Sequence, residues 1–170
     1  EGSGSIIIGF FTELDLWDPV DCPSSNEAEI IWLIAPDPDG EQGPRVSTGF
    51  VKEIARGLIA HEFQHLLNAQ QRVTLGTASG GEQAFWVNEG LSHIAEEVSG
   101  LNRIALGVRA NFGFDDIATG TVERAAFDDF QHGNFWNVGQ YLESTTEFNP
   151  LSAGGFSIRG FGYFFLRWLG

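Results

Sequence analysis

His61-Glu62-Phe63-Gln64-His65 places two imidazoles four residues apart with a carboxyl group between them. On a helix, residues at that spacing share a face with Cβ atoms about 6 Å apart, so both rings can converge on one cation. Glu62 is displaced by about 100° around the helix. It therefore stands beside such an ion without having to bind it, which is where the general base for a metal-activated water belongs. The H-E-x-x-H pattern is short and carries the false-positive risk of any short motif. A catalytic zinc takes three protein ligands and leaves its fourth position to water, so a third ligand is required, from an Asp, Glu or His on an element that folds back against the first.

Trp86-Val87-Asn88-Glu89-Gly90-Leu91-Ser92-His93-Ile94-Ala95-Glu96-Glu97 offers that element. Glu89, His93 and Glu96 fall at i, i+4 and i+7 and line one helical face. Two carboxylates and an imidazole in a row are costly to bury without a cation or partners, and a bound dication explains them. The chain between His65 and Glu89 is long enough to finish one helix, turn through Gly76 to Gly81 and return along another. The extended pattern H-E-x-x-H-x-x-G-x-x-H is excluded, because the positions that would need glycine and histidine carry Asn68 and Gln71.

The elements that position these groups follow from periodicity. Two short Ile-rich runs, Ser5 to Phe11 and Glu29 to Ala35, are bounded by Gly, Pro or Asp and read as strands. Asp15 to Asn26 and Pro36 to Pro44 are turn-rich. Thr48 offers a cap for a helix from about Gly49 to Gln71, in which Val51, Ile54, Leu58, Ile59, Phe63, Leu66 and Leu67 recur at helical intervals. A second helix is expected from Glu82 to Val98, ending at Gly100. Leu101 to Pro150 reads as short helices and ordered loops, and Ile158 to Gly170 crowds aromatic residues together. The expected fold class is α+β, one domain with a β-rich part over 1–45 and a mainly helical part over 46–170.

Composition narrows the partners. The 170 residues are 42% hydrophobic and 13% aromatic, a globular balance. Nine basic against 23 acidic residues give a net charge of −14, which repels a phosphate backbone and an anionic leaflet alike. Nucleic acid is thus a poor partner, and no run approaches the roughly 18 apolar residues of a membrane-inserted helix. Cys22, the single cysteine, forms no internal disulfide. The chain has no Met, even at position 1, and reads as a processed or trimmed piece of a longer product. Asp15 to Asp21 and Asp115-Asp116 read as solvated acidic loops, with a Ca2+ site as the sharper alternative, although neither matches the EF-hand pattern.

The pairing of His61-Glu62-x-x-His65 with Asn88-Glu89-Gly90 resembles the gluzincin metallopeptidases, the broad group containing thermolysin and the zinc aminopeptidases. The wording HEFQHLLN, WVNEGLSHIAEE and RGFGYFFLRWLG is most similar to the hyicolysin-type bacterial neutral metalloproteases. The resemblance implies a zincin-like fold, Zn2+ held by His61, His65 and Glu89, Glu62 as general base, a peptide or protein substrate, and export from the cell. It further implies that Asn88 and the residue four after the ligand, here His93, orient the zinc histidines. Related families carry an acidic residue at that second position, so His93 leaves three options open: a bond to a ligand histidine, a relay through Glu96, or a place on the metal. A Tyr that donates to the developing oxyanion is expected near the start of the last helix. Arg159 falls there, with Tyr163 one turn on and Tyr141 and His132 as further candidates. Trp86 and Trp136 are candidate cleft walls, Trp86 fitting better as buried packing. The alternative to hydrolysis is a non-catalytic, zinc-stabilised adhesion or binding module in which His93 closes the fourth position.

Overall fold

The computed structural model describes residues 6–74, 83–107, 109–118, 120–146 and 155–170. Strands β1 (Gly9–Phe11) and β2 (Ile31–Leu33) pair antiparallel, with Phe10 opposite Trp32. The Ile34 N–H donates to the Ile8 carbonyl at 2.8 Å, so 8/34 and 10/32 are the bonded pairs. The backbone groups of Gly9 and Phe11 consequently face the edge of β1 away from β2. Between the strands a 3-10 turn, Glu13–Leu16, buries Asp15. Its carboxylate accepts from Trp32 Nε1 at 3.0 Å and from Asn26 Nδ2 at 2.6 Å, which ties the turn-rich loop to β2.

Helix α1 (Thr48–Ala69) begins one residue earlier than expected. Its cap is Ser47, whose Oγ accepts from the Phe50 N–H at 3.1 Å. The helix closes in a π turn, Gln70–Thr74, and the glycine-rich turn expected at 76–81 lies outside the described residues. Helix α2 (Phe85–Arg103) does not stop at Gly100. A Cβ there would lie 2.8 Å from the Phe130 Cβ, so this glycine is a close-approach point for the next helix rather than a terminator. Helices α3 (Val122–Phe130), α4 (His132–Glu143) and α5 (Phe156–Leu169) complete the chain.

The fold is therefore α+β but mostly helical, its two-stranded sheet lying against α1. Helix α2 is central and packs against α1, α3 and α5, while α4 packs against α3 and α5. Leu101, Ala126, Phe130, Val138, Ile158 and Tyr163 are buried among these helices. The crossings of α5 are set by glycine. A Cβ on Gly90 would sit 2.6 Å from the Gly162 carbonyl carbon, and one on Gly160 or Gly162 would collide with the Asn137 or Trp86 carbonyl oxygen. No described helix is long and apolar enough to cross a membrane.

Helix α1 departs from the amphipathic pattern expected of it. Ile59, Phe63 and Leu67 are 47–48% exposed, whereas His61 and Glu62 are buried beside Leu66. The face turned inward is the one with the titratable groups.

Candidate metal centre

Helices α1 and α2 are stitched by three polar rungs. His61 Nδ1 meets Glu96 Oε1 at 2.6 Å, Ser92 Oγ donates to Gln64 Oε1 at 2.8 Å, and Asn68 Nδ2 donates to Asn88 Oδ1 at 2.7 Å. Numbers rise on α1 as they fall on α2, so the helices are antiparallel. One turn apart on each helix, the rungs bring Glu89 opposite the two histidines of α1. Asn68 Nδ2 is also bonded to Gln83 Oε1, fixing the approach to α2.

Among the described residues two overlapping groups could hold a cation: His61, His65 and Glu89, and His61, His93 and Glu96. Ligand spacing separates them. Tetrahedral zinc with bonds of about 2.0–2.1 Å needs ligand atoms about 3.3–3.4 Å apart. One ligand atom each from His61, His65 and Glu89 lies within 4.8 Å of the others, with Glu89 Oε2 3.4 Å from His61 Nε2 and Glu89 Oε1 3.7 Å from His65 Nε2, which leaves space for an ion. Glu96 Oε1 lies only 2.6 Å from His61 Nδ1 and 3.2 Å from His93 Nδ1, which are hydrogen-bond separations with no room for an ion between them. The first group is a cage, and the second is a relay.

The relay also sets the tautomers. An ionised carboxylate only accepts, so both Nδ1 atoms donate to Glu96, and His61 Nε2 is turned to the cage. His93 thus sits on the Nδ1 side of His61, away from His65 and Glu89, and Asn134 Nδ2 donates to its carbonyl at 3.1 Å. His93 Nε2 and Asn134 Oδ1 are buried without partners among the described residues.

Electrostatics follow from this packing. Burial pulls the His61 imidazole down, but hydrogen bonds to Glu89 and Glu96 outweigh it and push its pKa up to about 9. Burial and the neighbouring His61 lower His65 to about 4. Glu89 would be raised by burial, yet His61 and the Arg159 guanidinium bring it down to about 2. Burial works against the charge of Glu96, and its bonds to His61 and His93 hold it below the usual carboxylate range all the same. Burial raises Glu62, opposed in part by His61 and by the Phe11 N–H on the edge of β1 away from β2.

No family model, curated protein or solved structure matches this chain. The residues themselves must therefore test the fit to zinc. Glu62, Glu89 and Glu96 bring three carboxyl groups into one interior, and Arg159, 3.1 Å from Glu89 Oε2, returns one positive charge. In the metal-free chain the His61 proton offsets one more charge, and a dication that displaced it would offset both that remain. Glu89 Oε2 is buried, and its neighbours are the Arg159 guanidinium at 3.1 Å and His61 Nε2 at 3.4 Å. Two neutral imidazole nitrogens and a carboxylate oxygen at these separations form a donor set that zinc accepts.

Of the residues singled out from the motifs, His61, Glu62, His65, Asn88, Glu89, His93, Glu96 and Arg159 are brought together. Asn88 lies against His65 as well as Asn68. Tyr163 is not brought to the cage. It is 2% exposed, packs on the Phe135 ring and points at Glu97, and burial pushes its hydroxyl pKa up. Tyr141 packs on Phe161 in an apolar groove completed by Phe164, Phe165 and Trp168. His132 is exposed beside Phe127 at the start of α4. Trp86 packs against Phe161 and Phe165, while Trp136 is half-exposed against Phe156.

Ser92 and Gln64 escaped notice in the sequence. Ser92 Oγ lies 3.2 Å from His65 Nδ1 and holds Gln64, and its only signal was its place three residues after Glu89. Neither acidic run forms a group able to hold a cation among the described residues. Asp15 serves Trp32 and Asn26, and Asp116 Oδ2 accepts from the Gly113 N–H at 2.7 Å.

Proposed function

We propose that this chain is a zinc-dependent peptidase of gluzincin type with a zincin-like arrangement of its first two long helices. The observation that carries the reading is the convergence of His61 Nε2, His65 Nε2 and the Glu89 carboxylate at separations of 3.4 and 3.7 Å, beside the buried Glu62. When bound there, zinc supplies a Lewis acid that acidifies water and polarises a carbonyl.

The chain's own residues supply the rest. Glu62 takes the proton of the attacking water and returns it to the departing amine. Burial raises its pKa above the ordinary carboxylate value, which makes it a stronger base. Glu96 holds His61 by Nδ1, and Ser92 and Asn88 brace His65. The edge of β1 away from β2 presents the Gly9 and Phe11 backbone beside Glu62, which accepts from the Phe11 N–H. An extended peptide can add to this edge as a third strand, its carbonyls in register with the general base. The strand beside Glu62 is β1. Arg159 rests on Glu89 Oε2, so the reading gives it a role toward the ligand.

The test is Glu62→Gln. Zinc content, measured on the purified chain, should match the parent, while hydrolysis of a quenched fluorescent peptide falls by about 10²–10⁴-fold. Equal cleavage by both proteins would remove Glu62 from the mechanism. A parent chain that holds one zinc with four protein ligands and cleaves no peptide would favour the binding module.

A further inference from the structure

The Arg159 guanidinium stands 3.1 Å from Glu89 Oε2 and lies over the Phe85 ring, 5.8 Å from its centroid. Its placement is built into the helix crossings. Arg159 precedes Gly160, which abuts α4 at the Asn137 carbonyl, and Glu89 precedes Gly90, which abuts α5 at Gly162. Backbones in contact at both points leave little freedom in where the guanidinium and the carboxylate meet.

The two oxygens of Glu89 consequently have different neighbours. Oε1 faces His65 Nε2 at 3.7 Å. Oε2 faces His61 Nε2 at 3.4 Å and Arg159 Nη1 at 3.1 Å. We infer that Arg159 is a positioning residue for the metal ligand: by engaging Oε2 it makes Glu89 bind through one oxygen, which keeps the ion's remaining corner open to solvent. This rests on the zinc reading above. A carboxylate can bind a cation through one oxygen or both. Binding through both would fill the position that a catalytic site must leave vacant. A guanidinium on a ligand oxygen also opposes an incoming dication. The two effects act in the same direction on affinity, so removing the guanidinium tightens metal binding while crowding the ion. A purely structural role for Arg159 gives the opposite sign, because a loosened site binds metal less well.

The experiment compares the parent chain with Arg159→Gln, Arg159→Met and Arg159→Lys, with circular dichroism to verify folding. Arg159→Met keeps an apolar stem against Phe85 and is the second charge-free variant should Arg159→Gln not fold. Zinc affinity is read by competition with a chromophoric chelator, and coordination by the visible spectrum of the cobalt(II)-loaded protein. A charge-free variant should bind zinc about ten-fold more tightly. Its cobalt bands should weaken about two-fold as coordination rises from four towards five. Arg159→Lys retains the charge and should stay within about two-fold of the parent affinity. A folded charge-free variant with unchanged or weaker zinc binding, or with the parent's cobalt spectrum, overturns the inference and leaves the zinc reading standing. A parent chain that binds neither zinc nor cobalt removes that reading, and this inference with it.

Discussion

Replacing Glu96 separates the cage from the relay. Its Oε1 accepts from His61 Nδ1 at 2.6 Å inside the α1–α2 interface, a short, charge-assisted bond that aims Nε2 at the cage. Glu96→Gln leaves a side-chain carbonyl able to accept the same N–H but removes the negative charge. Glu96→Ala removes both and strands His93 Nδ1 as well. Partners of this kind are worth about 10–100-fold in metal affinity, or roughly 1.4–2.8 kcal/mol. Glu96→Ala should show that full loss and Glu96→Gln a smaller one, in competition titrations of zinc against a chromophoric chelator. The control is the adjacent Glu97, whose carboxylate bonds Arg167 Nε at 3.0 Å and serves the packing of α5 on α2. Glu97→Gln should lower the melting temperature and leave zinc affinity within about two-fold. Equal affinity in Glu96→Ala and the parent, with native circular dichroism, would refute the relay. Loss of all zinc binding in Glu96→Ala, with the fold intact, would instead make Glu96 a ligand and the geometric separation of the two groups wrong.

Further outcomes follow from burial and charge. In the metal-free chain His61 has a pKa of about 9 against an ordinary 6.5, so its stabilisation is complete below pH 6.5 and is lost as pH rises through 9. His65, lowered to about 4, works in the other direction: the unfolded chain takes up its proton first, so stability falls as pH drops from 6.5 towards 4. Urea midpoints measured in EDTA should therefore peak near pH 6.5, and a midpoint that climbs steadily to pH 9 would contradict the His61 assignment. Gly162→Ala drives a Cβ into the Trp86 carbonyl and should cost about 3 kcal/mol or more in urea unfolding. Gly107→Ala, which meets nothing within 4 Å, should change stability by about 0.5 kcal/mol or less, and equal effects at the two positions would undo the helix-crossing argument.

The cage was legible because chemistry of this kind leaves its residues at helical spacing. His61 and His65 share a face by arithmetic, and Glu89 is reachable once a second helix is granted. Helix existence was legible for the same reason, since α1 and α2 are long. Their ends were not. Ser47 and Thr48 are equally good caps on paper, and Gly100 looks like a stop until Phe130 is seen filling the space beside it. Leu101 to Pro150 reads as short helices and loops, and α3 and α4 are short, with Thr121 capping α3 through the Arg124 N–H. Glu96 illustrates what spacing alone leaves open. It shares a face with Glu89 and His93, but only the packed distances tell a ligand from a hydrogen-bond acceptor. Tyr163 shows the same limit, since spacing puts it a helix turn beyond Arg159 while packing turns it inward against Phe135 and Glu97.

The inverted face of α1 gives the most general reason to attach chemistry to this interface. Folding energy alone would bury Ile59, Phe63 and Leu67, each worth about 1.5–3 kcal/mol when fully removed from water, and leave His61 and Glu62 outside. The chain does the reverse, exposing nearly half of each of those three residues and burying both titratable groups. Hydrogen bonds account for only part of the compensation, because His93 Nε2 has none among the described residues and Glu89 Oε2 rests on an ion pair. A buried carboxylate is stable when opposite charge stands beside it. Arg159 supplies a single charge from one side. The two imidazoles of α1 approach the same carboxylate from the other side, and the proposed zinc would complete the balance there.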